Sequence, residues 1–384
     1  MGKEKIISES VSSMNDPVCD LKFQNVEDIT VVSDFEILAT FRYDPGFTRS
    51  LSSKKNRFEC PAVKLGLADE DIKQQIIKEN YSCYLQVNKA SSGADLLKDI
   101  QSPNVWKQCC KIIECHCESD ILKVIYERFF LLEEQYLRLR LTLSFFKIDF
   151  NISLYDLFKL LIETLVDCKE GTVEYFEKVQ GMISEKQCYK LRVLVSKAGT
   201  IRMEAVPLPM TPIFELTKNC DNASDYYIET MLNGFLDRGS VNWDVAIASE
   251  PIDSSVFTSF KTTSRDHYTN ARTHMQIAIN KVKGMEPASP VSQCEILLPN
   301  KSGQLMEGSI TNVAIIRRDS NGNKKYVTPK LTSGCLCGTM RHYLLRLGLI
   351  EEDDIDIENL AVGDEVLLFN GVMGCIRGTI KIKI

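Results

Sequence analysis

The chain has 384 residues, enough for two domains that each bury a core of their own. Its 44% hydrophobic and 26% charged residues are ordinary for a soluble globular protein, and no run approaches the ~18 apolar residues needed to span a bilayer. The net charge of −6 gives no reason to expect nucleic-acid binding, although a local basic pocket for an anionic ligand stays open.

Residues 1–33 are polar and aperiodic and read as a frayed start. The opening "MGKEKIISES" lacks the apolar segment of a secretory signal, so the fourteen scattered cysteines are expected to be free thiols in a reducing cytosol. "FEILATFRY" (35–43) reads as a strand running into a turn at Pro45–Gly46. Residues 47–120 are mixed and polar, with a helix expected over "DEDIKQQIIKENY". From Ser119, an N-cap candidate, the pattern predicts a short helix, a turn or strand around Phe129–Leu132, and a second helix from Glu133. "SLYDLFKLLIETLVD" (153–167) repeats its apolar residues at three and four, the period of an amphipathic helix.

"CYKLRVLVSKAGTIRMEAVPLP" (188–209) reads as two strands joined by a turn at Lys197–Gly199, and 210–225 as a linker. Beyond it, strands are expected at 243–249, 292–298, 311–317, 325–328 and 364–370, and helices at 264–283 and 338–348. The acidic run "EEDDIDIE" (351–358) reads as a solvated turn. Mixed elements in both halves predict an α/β (α+β) chain of two domains meeting at a cleft: 33–209, an N-terminal α/β domain with inserts, and 226–384.

Four segments could carry chemistry. Lys261, in "TSFKTTSRDHYTNAR", is by itself most often a surface charge. Glu307, in "GQLMEGSITNVAII", is either a turn residue or a carboxylate at the mouth of a buried strand, able to hold a proton on a ring nitrogen. The small residues before Gly338–Thr339 open a helix whose free N–H groups suit a phosphate. "LLFNGVMGCIRG" (367–378) reads as a buried strand broken by glycines, through a bulge, a hairpin turn or a backbone exposed to ligand. The cysteines of "CCKIIECHC" (109–117) fit no zinc spacing, the four histidines are dispersed, and neither a P-loop nor G-x-G-x-x-G occurs.

The order of these four segments resembles the fold-type IV pyridoxal-phosphate enzymes, a family that includes branched-chain and D-amino acid aminotransferases and aminodeoxychorismate lyases. "FEILATFRYDPGF", "YERFFLLEEQY", "SFKTTSRDHY", "LMEGSITNVA" and "GCLCGTMRHYLLRLGLIEE" are most similar to the fungal lyase branch. The resemblance implies a two-domain architecture with large N-terminal inserts at about 48–120 and 166–188. It implies pyridoxal 5'-phosphate as cofactor and the cleavage of 4-amino-4-deoxychorismate to 4-aminobenzoate and pyruvate; an amino acid aminotransferase is the alternative. Lys261 then falls on the Schiff-base lysine, Glu307 on the pyridine-nitrogen carboxylate and Arg138 on the phosphate arginine. Thr339 and Met340 fall on helix-start amides that hold the phosphate, Leu336 on a ring-face contact, and Gly371 near a further phosphate contact. Arg192 stands where relatives bind a substrate carboxylate, with Arg42 and Arg202 as further candidates. Gln135 departs from the pattern, since many members have histidine three residues before the arginine. The implied partner is a small-molecule substrate, with no nucleic acid and no membrane, in the cytoplasm. The family's usual homodimer and a monomer shielded by the inserts both stay open.

Overall fold

In a computed structural model of the chain, the residues described are 34–48, 118–168, 175–208, 223–236, 242–285, 293–318, 320, 322 and 324–384. The expected frayed start, the helix at 69–81 and the cysteine cluster at 109–117 lie outside them. Contacts divide the described residues into two units, the first running to Tyr227 and the second from Ile228.

The first unit has, in chain order, β1 (Ile37–Tyr43), α1 (Glu118–Glu127), β2 (Phe129–Phe130), α2 (Leu132–Phe145), α3 (Leu154–Asp167), α4 (Tyr175–Gly181), β3 (Tyr189–Val195) and β4 (Ile201–Pro207). The strands form an antiparallel sheet in the order β2-β1-β3-β4. Side chains alternate between the two faces of a strand. One face therefore presents Ile37, Ala39, Phe41 and Tyr43 of β1 beside Leu191, Val193 and Val195 of β3, all buried. Helix α2 packs on β1, and α3 packs on β4. Ser153 caps α3, its hydroxyl accepting from the Asp156 N–H at 3.0 Å, and the apolar positions 154, 157, 158, 161, 162 and 165 are its buried stripe. The other face is mixed: Leu38, Leu194 and Phe130 are buried on it beside the sheet's charged residues. The register sets Arg42 opposite Lys190, Thr40 opposite Arg192, and Arg192 opposite Glu204.

The division between the units falls inside α5 (Ala223–Met231). The second unit then carries β5 (Asn242–Ile247), α6 (Val256–Ser259), α7 (Asp266–Lys283), β6 (Cys294–Pro299), β7 (Leu305–Gly308), β8 (Asn312–Arg318), β9 (Lys324–Pro329), α8 (Thr339–Arg346), β10 (Glu351–Asp353), β11 (Glu365–Asn370) and β12 (Gly374–Lys383). The sheet order is β10-β9-β8-β11-β12-β5-β6-β7, with β10/β9, β12/β5 and β5/β6 parallel and the other pairs antiparallel. Both faces are dry, as central strands of such a sheet require. Val245, Leu297, Val313, Leu368 and Ile380 belong to one core. Ala246, Ile296 and Leu298 join Tyr268, Met275 and Ile279 of α7 in another. α7 ends at Gly284, whose φ of 66° is left-handed and ordinary only for glycine.

Two segments differ from expectation, and a third takes one of the forms left open. Glu307 lies within a strand of its own, β7, instead of just before β8. The glycine-broken segment at 367–378 is a hairpin: Asn370 and Gly374 pair across a turn, and Gly374 has a φ of 70°. The acidic run is no mere turn, because Glu351–Asp353 forms β10, parallel to β9. A short edge strand dense in charge resists pairing with other chains, which reconciles the composition with the fold. All three of its acids also have cation partners: Glu351 pairs with Lys325 at 3.8 Å, Glu352 with Arg341, and Asp353 with Arg317 at 2.7 Å.

Candidate active site

The second unit builds its most unusual electrostatic feature around Glu307. This carboxylate is only 3% exposed. Tyr268, from α7, donates its hydroxyl to Oε1. The Asn312 amide and the Leu336 N–H donate to Oε2 at 3.3 and 3.2 Å. Burial pushes the carboxyl up to about 7, against the opposing pull of these donors and of the Arg265 charge.

The turn between β7 and β8 is held by a second buried acid, Glu295 of β6. It accepts from the Ser309 N–H at 2.9 Å, the Ser309 hydroxyl at 2.5 Å, the Ile310 N–H at 3.2 Å and the Thr311 hydroxyl at 2.8 Å. Gly308 is required here, because a Cβ would lie 2.7 Å from Glu295 Cδ and 2.5 Å from Thr311 Oγ1. Two arginines on the α7 side grip the same turn. Arg265 donates to the Ser309 carbonyl, and Arg272 reaches the Ser309 hydroxyl at 3.1 Å and Glu295 at 3.6 Å.

Lys261 is half-buried in the segment between α6 and α7. A capping box at Ser255 fixes α6 just ahead of it. The Ser259 carbonyl accepts from the Cys337 N–H at 3.4 Å, tying the lysine's segment to the loop that leads into α8. In that loop Leu336 is half-buried, and its carbonyl accepts from the Asn312 amide at 3.0 Å. Gly338 is the N-cap of α8 and gives it no side-chain cap. A Cβ at Gly338 would lie 1.9 Å from Asn312 Oδ1. Thr339 and Met340, both buried, open the helix. Gly371 is buried in the β11–β12 turn. The neighbouring Asn370 accepts from the Val372 and Met373 N–H groups at 2.9 and 2.8 Å and donates to the Ile310 carbonyl at 3.0 Å. Backbone and side-chain links thus connect the segments of Lys261, Glu307, Leu336, Thr339, Met340 and Gly371.

The four arginines singled out from the sequence belong to the first unit. Arg138 is buried on α2 and donates to Gln135 at 2.7 Å, so the residue that stands in for the family's histidine is its hydrogen-bond partner. Arg42, Arg192 and Arg202 share one face of the sheet. Arg42 binds one oxygen of the fully buried Asp44 through Nε and Nη2, at 2.9 and 2.6 Å. Asp44 also accepts from the Gly46 N–H and the Tyr226 hydroxyl. Arg192 pairs with Glu204 at 2.9 Å, and Arg202 pairs with both Glu36 and Glu204.

The residues of the second unit fit a flat cationic ring that carries an anionic tail, as pyridoxal phosphate does. A dry carboxylate held above its ordinary range is relieved by a cationic N–H. The start of α8 has no side-chain cap, and its N–H groups suit a phosphate. The Ser259 hydroxyl, two residues before Lys261, is buried with no hydrogen-bond partner. Among the described residues, no group of three or more His, Cys, Asp or Glu is placed to hold a metal ion, and the six cysteines are free thiols.

Tyr268, Asn312 and Glu295, which the sequence reading did not single out, surround Glu307 and the turn after it. One signal was available. Glu295 is a single acid inside the apolar strand "CEILLP", and a buried charge needs partners.

The family model for "Amino-transferase class IV" matches residues 120–379. The chain is 63% identical to a Saccharomyces cerevisiae protein named "Aminodeoxychorismate lyase", over 97% of this chain and 100% of that one. Among solved structures, a branched-chain aminotransferase of Thermoproteus uzoniensis with norvaline is 19% identical, with a TM-score of 0.41 over 66% of this chain and 72% of that one.

Proposed function

The chain belongs to the class IV amino-transferase family, and from that premise we propose that it is an aminodeoxychorismate lyase. It converts 4-amino-4-deoxychorismate to 4-aminobenzoate and pyruvate, a step of folate biosynthesis, with pyridoxal 5'-phosphate as cofactor. The observation that carries this reading is 63% identity, end to end, to the yeast protein of that name. The dry, hydrogen-bonded Glu307 supports the cofactor assignment.

When bound, pyridoxal phosphate supplies a sink for the electron pair left behind by a departing proton. Lys261 would hold it covalently, and Glu307 would keep the proton on its ring nitrogen. Arg138, the Thr339 and Met340 amides and Gly371 would hold the phosphate, and Leu336 would meet the ring face. Arg192, with Arg42 and Arg202 as further candidates, meets the substrate carboxylates, a charged contact worth roughly 1.5–3 kcal/mol. Lys261, as a free amine, would take the proton from the substrate ring carbon that bears nitrogen. The ether C–O bond then breaks, the ring becomes aromatic, and Lys261 returns the proton to the departing enolpyruvate, giving pyruvate. Aromatisation drives the step downhill.

The reading carries with it a cytoplasmic location and a small-molecule substrate as partner. Among the described residues no helix is long and apolar enough to cross a membrane. The deciding assay supplies 4-amino-4-deoxychorismate to the wild type and to Lys261→Ala. The wild type should yield 4-aminobenzoate and pyruvate in equal amounts, and the variant neither. Amino transfer from glutamate or leucine to a keto acid, with no pyruvate from aminodeoxychorismate, would overturn the assignment.

A further inference from the structure

Tyr268 is assigned no part in the reaction above, yet its surroundings are built around its hydroxyl. It is 5% exposed and belongs to the apolar stripe by which α7 packs on β6. Its hydroxyl could have been avoided at such a position by using phenylalanine. Instead the hydroxyl donates to Glu307 Oε1 and is the one donor to that oxygen among the described residues. The ring is fixed from the other side, since the Arg265 guanidinium lies 4.6 Å from its centroid while donating to the Ser309 carbonyl. Arg265, Tyr268 and Glu307 therefore form one relay, with the cation on the ring and the ring's hydroxyl on the acid.

We infer that Tyr268 is a positioning residue: its hydrogen bond fixes the Glu307 carboxylate in one orientation and keeps it ionised, so that the cofactor's ring nitrogen retains its proton. This rests on the reading of Glu307 as the partner of that nitrogen. A carboxylate in a dry site either takes up a proton or gathers donors. A phenol is a suitable donor because it brings no charge of its own, and burial beside Glu307 pushes the Tyr268 hydroxyl well above its ordinary range, so it keeps its proton. Besides the neutral Asn312 and Leu336 donors, four titratable or charged groups bear on Glu307 from the elements around it. Tyr268 and Arg265 favour its charged form, and Glu295 of β6 opposes it. Cys335, before α8, is held protonated by burial. Without the tyrosine hydroxyl, the acid loses its closest donor and ionises at a higher pH.

The test is a double-mutant cycle on the holoenzyme, read as the dissociation constant of pyridoxal phosphate by equilibrium dialysis. The variants are Tyr268→Phe, Glu307→Gln and the pair, with melting temperatures confirming that each is folded. Tyr268→Phe should weaken retention about tenfold when Glu307 is present, the worth of one charged hydrogen bond, and less than about twofold when it is glutamine. The pH below which the cofactor is lost should move upward in Tyr268→Phe, a shift that loss of packing alone does not produce. If Glu307→Gln weakens retention but Tyr268→Phe does nothing, or weakens it equally in both backgrounds, Tyr268 is merely structural and the inference fails while the reading of Glu307 stands. If Glu307→Gln leaves retention unchanged, that reading fails and takes the inference with it.

Discussion

Glu307 converts a local geometry into a pH dependence. Its folded-state pKa, about 7, stands above the value for an unfolded glutamate. Between the two, the folded chain holds a proton that the unfolded chain releases. The resulting stability is complete at acid pH and is lost as the pH rises through 7, amounting to about 3 kcal/mol. Denaturant melts of cofactor-stripped protein at pH 4.5 and pH 8 should show this loss in the wild type and not in Glu307→Gln. Equal slopes in the two proteins would rule it out. A second residue separates binding from folding. Arg42 neutralises Asp44 in a fully buried site, so Arg42→Ala should destabilise the fold by about 3 kcal/mol, the penalty for leaving a buried charge unpaired. Arg192→Ala, in a half-exposed pair, should leave the melting temperature nearly unchanged. At this scale no local rule singles out Lys261 or Glu307; only the order of segments shared with a known pattern proposes them. The link from Tyr268 to Glu307 spans 39 residues, and that from Leu336 to Glu307 spans 29. No local pattern encodes contacts made by bringing distant segments together.

Elements were more readable, because caps and periods are local physics. The 3–4 apolar spacing marked α3, and the alternation in "YKLRVLV" fixed the face of β3. Two elements were hidden for opposite reasons. The charges of β10 mask a strand, and Gly374 looked like an interruption although it begins the ten-residue β12. The start of α8 shows how an element serves the site. Gly338 leaves room for Asn312, whose amide donates to both Glu307 and the Leu336 carbonyl. Gly338→Ala would force that side chain aside. The expected result is cofactor retention weakened by about tenfold or more, with a stability loss of about 1–3 kcal/mol for the overpacked site. Dialysis and a thermal melt on the same sample would check this, and undiminished retention would show that Asn312 adapts without consequence.

Across the whole molecule, the sheet of the second unit buries residues on both faces, so its strands tolerate little loss of volume. Leu368 is fully buried in the middle of β11, and Leu368→Ala should cost about 2–5 kcal/mol, measurable as a lower denaturation midpoint. Strand order has a further consequence. β12 comes after every other strand of its sheet in the chain, yet it sits between β11 and β5, joining four strands on one side to three on the other. The ribosome makes the seam last. Until Gly374 and the residues after it emerge, the growing polypeptide holds two partial sheets with unpaired inner margins, the species that chaperones recognise. A nonsense mutation just upstream of Gly374 would remove β12 and leave those margins permanently open.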